Sequence, residues 1–274
     1  MRLFALDWTI YPDTPIARLP RWVRPLALLV RNVTFVFVRR GGAAATERPE
    51  YVYEADGLAT VHFSPFLHDH EYGELYDQMA SDWFVGTQAD VRWRMWVLTS
   101  MARECQVLSG DIAEFGVYRA GCAFMLLATS AVPPSKRLFL FDTFTGIPEH
   151  ELSEPEMATG LAGALADTSA DYVTSRLSQW HSQIEVVEGN IFQTLPSVET
   201  GPLAFVHMDL NAAAPTKRAL EYSYPRLVAG AITVFDDYGE KGLEAQRAVV
   251  DEFLSDKPER VVALPTRQGL LIKR

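Results

Sequence analysis

Two cysteines, Cys105 and Cys122, are all that the 274-residue chain contains. A disulfide framework and a thiolate zinc site are thereby set aside, and free thiols in a reducing cytoplasm are expected. Positive charge is also short, since 25 Lys and Arg against 35 Asp and Glu leave a formal net charge of -10. That balance argues against nucleic acid or an anionic membrane as the principal partner. No apolar run is long enough to span a bilayer, and the stretch from Pro25 to Val38 is broken by Arg31 and Asn32. Two phosphate-binding signatures are missing as well. The glycines of "EFGVYRAG" (114–121) do not follow G-x-G-x-x-G, and Gly121 is followed by Cys122 and Ala123 where a P-loop needs Lys and Ser or Thr.

Hydrophobic residues, by contrast, make up 48% of the chain, enough for one large α/β domain with an attached segment. Residues 21–40 alternate arginines with leucines and phenylalanines; they are expected to pack on the domain or on a second copy in a homo-oligomer, with weak membrane-surface contact as the alternative. Residues 41–60, rich in small and acidic side chains, read as a linker, so 1–60 form an N-terminal extension. A helical pre-domain over 61–110 follows, expected to cap the site of the domain after it. Within it Val91, Met95, Leu98, Ala102 and Cys105 recur at steps of four and three, one stripe of a helix. From 111 to 274 strands alternate with helices: DIAEF, RLFLFD, IEVVEG, LAFVHMDL and AITVFDD each precede a helical pattern, and VVALP and GLLIKR close as two short strands. This order predicts a doubly wound, mostly parallel, Rossmann-like sheet.

Ligands of such sheets bind beyond the carboxyl ends of the strands. There stand Glu114, Gly116 and Gly121 after the first strand, Asp142 after the second, Gly189 and Asn190 after the third, Asp209 and Asn211 after the fourth, and Asp236 and Asp237 after the fifth. Asp142 suits a pair of ribose hydroxyls, with a turn or cap as the alternative. Two adjacent carboxylates repel, so Asp236 and Asp237 suggest a cation, or else one caps a helix and the other faces water. Neighbouring strands lie about 4.8 Å apart, close enough for Asp209 to join them. Three hard oxygen donors suit Mg²⁺. His207, two residues inside its strand, reads as a buried, hydrogen-bonded histidine.

"GDIAEFGVYRAG", "LFDTFTGIPE" and "HMDLNAAAPTKRALEYSYPRLVAGAITVFDDYG" together resemble the macrolide-sugar and antibiotic O-methyltransferases, the macrocin, mycinamicin and noviose enzymes, over residues 85–274. The resemblance implies the class I methyltransferase fold: seven strands, the last inserted antiparallel. It also implies S-adenosylmethionine bound by Thr87, Glu114, Gly116, Tyr118, Gly121 and Asp142, Mg²⁺ held by Asp209, Asp236 and Asp237, and Asp209 as the base for a sugar hydroxyl on a small-molecule acceptor. Asn211 and Ala212–Ala214 depart from the family's second acid and the polar run after it. The long acidic segment 149–172 is a candidate lid or, equally, a plain surface loop, and the aromatic residues of 68–84 are candidate pocket walls, though most of them are expected to pack the pre-domain segment. Two alternatives stay open: an NAD(P)-dependent oxidoreductase, which would need a tighter glycine fingerprint, and a non-catalytic methyltransferase-like subunit, which would not need the three acids.

Overall fold

The computed structural model describes residues 50–83 and 89–274. The readings made for residues 1–49, including the basic segment 21–40, and for Thr87 lie outside the described residues. Tyr51–Arg274 form one compact unit.

In chain order the described strands are β1 (Tyr53–Ala55), β2 (Leu58–Thr60), β3 (Asp111–Phe115), β4 (Leu138–Asp142), β5 (Ile184–Glu188), β6 (Leu203–Met208), β7 (Leu227–Phe235), β8 (Val262–Ala263) and β9 (Gly269–Ile272). The helices are α1 (His70–Trp83), α2 (Arg92–Glu104), α3 (Gly121–Ala128), α4 (Glu154–Met157), α5 (Ala170–Arg176), α6 (Ile191–Thr194), α7 (Ala213–Ser223) and α8 (Glu244–Phe253). Seven strands form one sheet in the order β5-β4-β3-β6-β7-β9-β8. β3 to β7 are parallel, and β9 inserts antiparallel between β7 and β8. This is the doubly wound sheet expected from the alternation. Its order reverses beside β3 and β6, which is where a ligand cleft opens.

Period-two alternation divides the core. Ile112, Leu138, Leu140, Phe205, Ile232 and Val234 face one layer together with α1, α2 and α3. Phe115, Phe139, Phe141, Val206, Met208 and Phe235 face the other, against α7 and α8. The α2 stripe is buried at every residue read from the sequence, and α3 is buried nearly all round because it lies between the sheet and other helices. Cys105 and Cys122 are both buried free thiols. Among the described residues no helix is long and apolar enough to cross a membrane.

The linker reading of 41–60 fails at its end. β1 and β2 pair as a hairpin whose two loop residues, Asp56 (φ 51°) and Gly57 (φ 75°), are both left-handed. Asp-Gly is the strongest short hairpin signal, overlooked in strands of only three residues.

Candidate active site

The parallel register sets Phe115 beside Met208 and Met208 beside Phe235. Gly116, Asp209 and Asp236, the next residue of each strand, therefore emerge side by side. A Cβ on Gly116 (φ 87°) would lie 1.9 Å from the Asp209 carbonyl oxygen, so only glycine fits there. One on Gly121 would lie 2.5 Å from the Trp83 ring, which is how α1 closes onto the start of α3. Between these glycines, Tyr118 (φ 50°) and Ala120 (φ 60°) hold left-handed conformations. The Asp142 carboxylate organises the turn: Oδ2 accepts from Val117 N (2.7 Å) and Tyr118 N (2.8 Å), and Oδ1 from Phe144 N (2.7 Å). Two adjoining hollows flank this loop and share Gly116, Asp142, Leu165, Asp209 and Asn211. Glu114, Tyr118 and Trp83 line the second, while Asn190 lines the first.

Ligand oxygens of Asp209, Asp236 and Asp237 lie within 4.8 Å of one another. Asp236 is engaged on every side. Arg94 Nη1 donates to its Oδ2, Gln268 Nε2 donates to its Oδ1 at 3.0 Å, and His207 Nε2 stands 3.8 Å from Oδ1, a charge contact longer than a hydrogen bond. On its other side Arg94 is held by Asp56 Oδ2, which accepts from Nε at 2.7 Å. His207 Nδ1 meets Glu114 Oε1 at 3.1 Å, with both residues wholly buried. Asp237 Oδ2, also buried, has no partner.

These contacts separate the acids electrostatically. Burial alone would raise Asp236, but Arg94 and His207 outweigh it and hold the carboxyl well below its usual range. Asp209 is pushed up to about 6 by burial and by the neighbouring Asp236 charge. Asp237 is pushed well up by burial and by Asp209 and Asp236. His207 is raised to about 10, because Asp236 and Glu114 overcome the burial that opposes its charge. One of the three acids is thus neutralised from within the protein, and two are short of positive charge.

The chain matches the family Macrocin-O-methyltransferase (TylF) over residues 70–260, well over half its length. It belongs to the macrocin O-methyltransferase family. A curated relative, the 8-demethyl-8-(2,3-dimethoxy-alpha-L-rhamnosyl)-tetracenomycin-C 4'-O-methyltransferase of Streptomyces olivaceus, is 29% identical over 53% of this chain and 58% of that protein. The mycinamicin III 3''-O-methyltransferase of Micromonospora griseorubida is 29% identical over 47% of this chain and 55% of its own length. The chain thus spans a little over half of each of these relatives. The solved O-methyltransferase NovP shares the fold, with a TM-score of 0.58 at 20% identity, over 66% of this chain and 79% of that one.

Within this macrocin-type framework most of the expected residues converge: Glu114, Gly116, Tyr118, Asp142, Asn190, Asp209, Asp236 and Asp237 border the cleft or its acid cluster. Gly121 opens α3 beneath Trp83. Gly189 (φ 129°) donates its N–H to the Asp142 carbonyl and shapes the turn without lining a hollow. Asn190 caps α6 by accepting from Phe192 N and donates to Glu151. Asn211, where a second acid was expected, donates to Asp209 Oδ1 at 3.2 Å, so it steadies the first acid where a charge would repel it. Segment 149–172 contributes Ala164 and Leu165 to the lining of the first hollow. It is tied down by the buried Glu156, which accepts from Ser153 N (2.8 Å) and from Ala213 N (2.7 Å) at the start of α7. In 68–84, Tyr72 and Tyr76 belong to the core and Trp83 lines the cleft.

Arg94, Asp56 and Gln268 were missed. Arg94 had a signal, since it falls three residues after Val91 on the buried stripe, and an arginine there needs a buried acid.

Proposed function

We propose that the protein is an S-adenosylmethionine-dependent O-methyltransferase that methylates a hydroxyl of a sugar or glycosylated small molecule, with Mg²⁺ at the acid cluster. The observation that carries this reading is the adjacency of Gly116 and Asp209. The glycine-rich cleft and the acids share one wall, so an electrophilic methyl in the cleft and a hydroxyl at the acids would meet. The name of the Streptomyces olivaceus relative, an O-methyltransferase of a rhamnosyl-tetracenomycin, supports the acceptor class. The donor set fits the cation: three hard oxygens, one of them the buried and unpartnered Oδ2 of Asp237. Bound there, Mg²⁺ would supply a lowered pKa and a fixed direction for the acceptor hydroxyl.

The residues divide the remaining work. The Gly116–Gly121 loop and Asp142 shape the cofactor cleft, and Asn190 borders its far end. Leu165 and Glu156 keep segment 149–172 over it, which excludes water. Asp209 would accept the proton of the acceptor hydroxyl, and S-adenosylmethionine held in the cleft would supply the electrophilic methyl. An NAD(P) dehydrogenase would use the same sheet, but it gives no account of the three acids. Calorimetric titration with S-adenosylmethionine and with NAD, each with and without Mg²⁺, tests the reading. S-adenosylmethionine is expected to bind in either condition, and turnover on a glycoside to stop in EDTA and return with Mg²⁺. Binding of NAD alone, or full turnover in chelator, refutes it.

A further inference from the structure

The register of the sheet brings a second, chemically different group of ligand atoms beside the cleft. Glu114 on β3 and His207 on β6 are direct partners, and they share the parity of Ile112 and Phe205, so both point to the face that α3 covers. Cys122, the second residue of α3, reaches the same face. A carboxylate oxygen of Glu114, a ring nitrogen of His207 and the Cys122 sulfur lie within 4.8 Å of one another. The three do not satisfy one another. His207 Nδ1 meets Glu114 Oε1 at 3.1 Å, but Glu114 Oε2 is buried with no hydrogen-bond partner. The Cys122 thiol points to Met95 Sδ at 4.0 Å, a weak acceptor. Burial and the Glu114 charge push that thiol well up, so it keeps its proton until a cation stands beside it. The cluster is open on one side, because Glu114 and Cys122 both line the second hollow beside the Gly116–Gly121 loop.

We propose that Cys122, Glu114 and His207 form a site for a thiophilic divalent cation of the Zn²⁺ kind, and that this cation and the cofactor exclude one another from the cleft. The exclusion rests on the cofactor reading given above. Ligand atoms around tetrahedral Zn²⁺ stand roughly 3.3–3.8 Å apart, so shifts of about 1 Å close the set. Three protein ligands with a fourth position for water is the pattern of an open zinc site, and the sulfur selects a soft or borderline metal. Occupancy need not bury net charge. A buried pair such as Glu114 and His207 is least costly when it is net neutral, as carboxylate and imidazolium or as acid and imidazole, and the thiol is neutral too. A dication that releases one proton from the pair and one from the thiol to water leaves carboxylate, imidazole, thiolate and metal, which again sum to zero. Mg²⁺ prefers oxygen donors and stays with the aspartates. A mixed donor set needs a single cysteine, so cysteine spacing gives no sign of it.

Titration of the full-length, cofactor-free protein with Cd²⁺, followed by the thiolate-to-metal charge-transfer absorption in the ultraviolet, tests the site without reference to turnover. Wild type is expected to develop the band and to keep it in excess Mg²⁺. Cys122→Ala should abolish the band and Cys105→Ala should keep it. Glu114→Gln should weaken Cd²⁺ binding by at least the roughly 10–100-fold that loss of an outer-shell partner costs, while Asp237→Asn, in the oxygen cluster, affects it far less. Saturating S-adenosylhomocysteine should displace Cd²⁺ and remove the band. No band in wild type, a band that survives Cys122→Ala, or an equal loss of affinity in Asp237→Asn and Glu114→Gln overturns the site. Should the buried substitutions prevent folding, a wild-type crystal soaked in Cd²⁺ decides: anomalous density bonded to Cys122 Sγ supports the site, and density confined to the aspartates overturns it. S-adenosylhomocysteine that binds the metal-free protein yet leaves the band intact overturns the exclusion. S-adenosylhomocysteine that fails to bind even the metal-free protein refutes the cofactor reading instead, and the band then decides the metal site on its own.

Discussion

Asp142 holds the Gly116–Gly121 loop, the loop proposed to bind the cofactor, and its replacement separates architecture from ligand binding. Three backbone N–H groups, of Val117, Tyr118 and Phe144, converge on its carboxylate. Two of the residues in that turn, Tyr118 and Ala120, are left-handed without being glycine, each at a cost of order 1 kcal/mol that the surrounding bonds must offset. Hydrogen bonds to a charged group contribute about 1.5–3 kcal/mol each when buried. Asp142 is partly exposed and water would replace some of what is lost, so about 3 kcal/mol in total is the expected cost of Asp142→Ala. For a unit of this size that is a fall in melting temperature of roughly 6–12 °C. Asp142→Asn should cost less, about 1–2 kcal/mol: its oxygen can still accept from Val117 and Tyr118, but its amide then faces the Phe144 N–H donor to donor. Melting of both variants without cofactor, followed by calorimetry with S-adenosylhomocysteine, reads the two effects apart. An Asp142→Ala protein that melts within about 1 °C of wild type yet binds cofactor at least tenfold more weakly would refute the organising role and leave only a contact to the ligand.

Asp209→Asn keeps the side-chain volume and one oxygen but cannot accept a proton at neutral pH. Turnover should fall by roughly 10²–10⁴-fold with the fold intact; initial rates and thermal melting on one preparation check this, and a residual above a tenth of wild type sinks the general-base assignment. His207 is raised from 6.5 to about 10 on folding, so the stability it adds is complete below pH 6.5 and is lost as the pH rises through about 10. The urea-midpoint difference between wild type and His207→Gln should therefore be largest near pH 6 and shrink toward pH 10; a gap that does not change with pH would mean the ring is neutral throughout.

The sheet was legible because its chemistry is periodic. Leu138 to Phe141 alternate between two cores, and each strand ends where carboxylates and glycines replace apolar residues. The acids at the ends of β6 and β7 were legible for the same reason, since parallel strands in register deliver their last residues to one line. What escaped were contacts whose partners lie far apart in sequence. Arg94 and Asp236 are 142 residues apart and Gln268 and Arg94 are 174 apart, and no local pattern ties such pairs together. Glu114 and His207 show how near such inference comes. Each interrupts the same apolar face on neighbouring strands, and the register pairs them directly, so a polar couple inside the sheet follows once strand order is known. Asp142 shows the opposite difficulty: a strand-end carboxylate serves a backbone turn or a ligand equally well, and only its three N–H partners reveal the first use.

The missing Cβ at Gly116 has a consequence for how such a protein can change over generations. With main chain packed on main chain at the Asp209 carbonyl, a side chain at position 116 cannot be used to space the loop from the acids. If the proposed function holds, new acceptors would be accommodated elsewhere, in parts of the cleft wall that side chains build. Leu165 in the segment 149–172, Trp83 at the end of α1 and Pro215 in the first turn of α7 are such parts. Diversification of the substrate and preservation of the chemistry are thus assigned to different materials, variable side chains for the one and an unadorned stretch of backbone for the other.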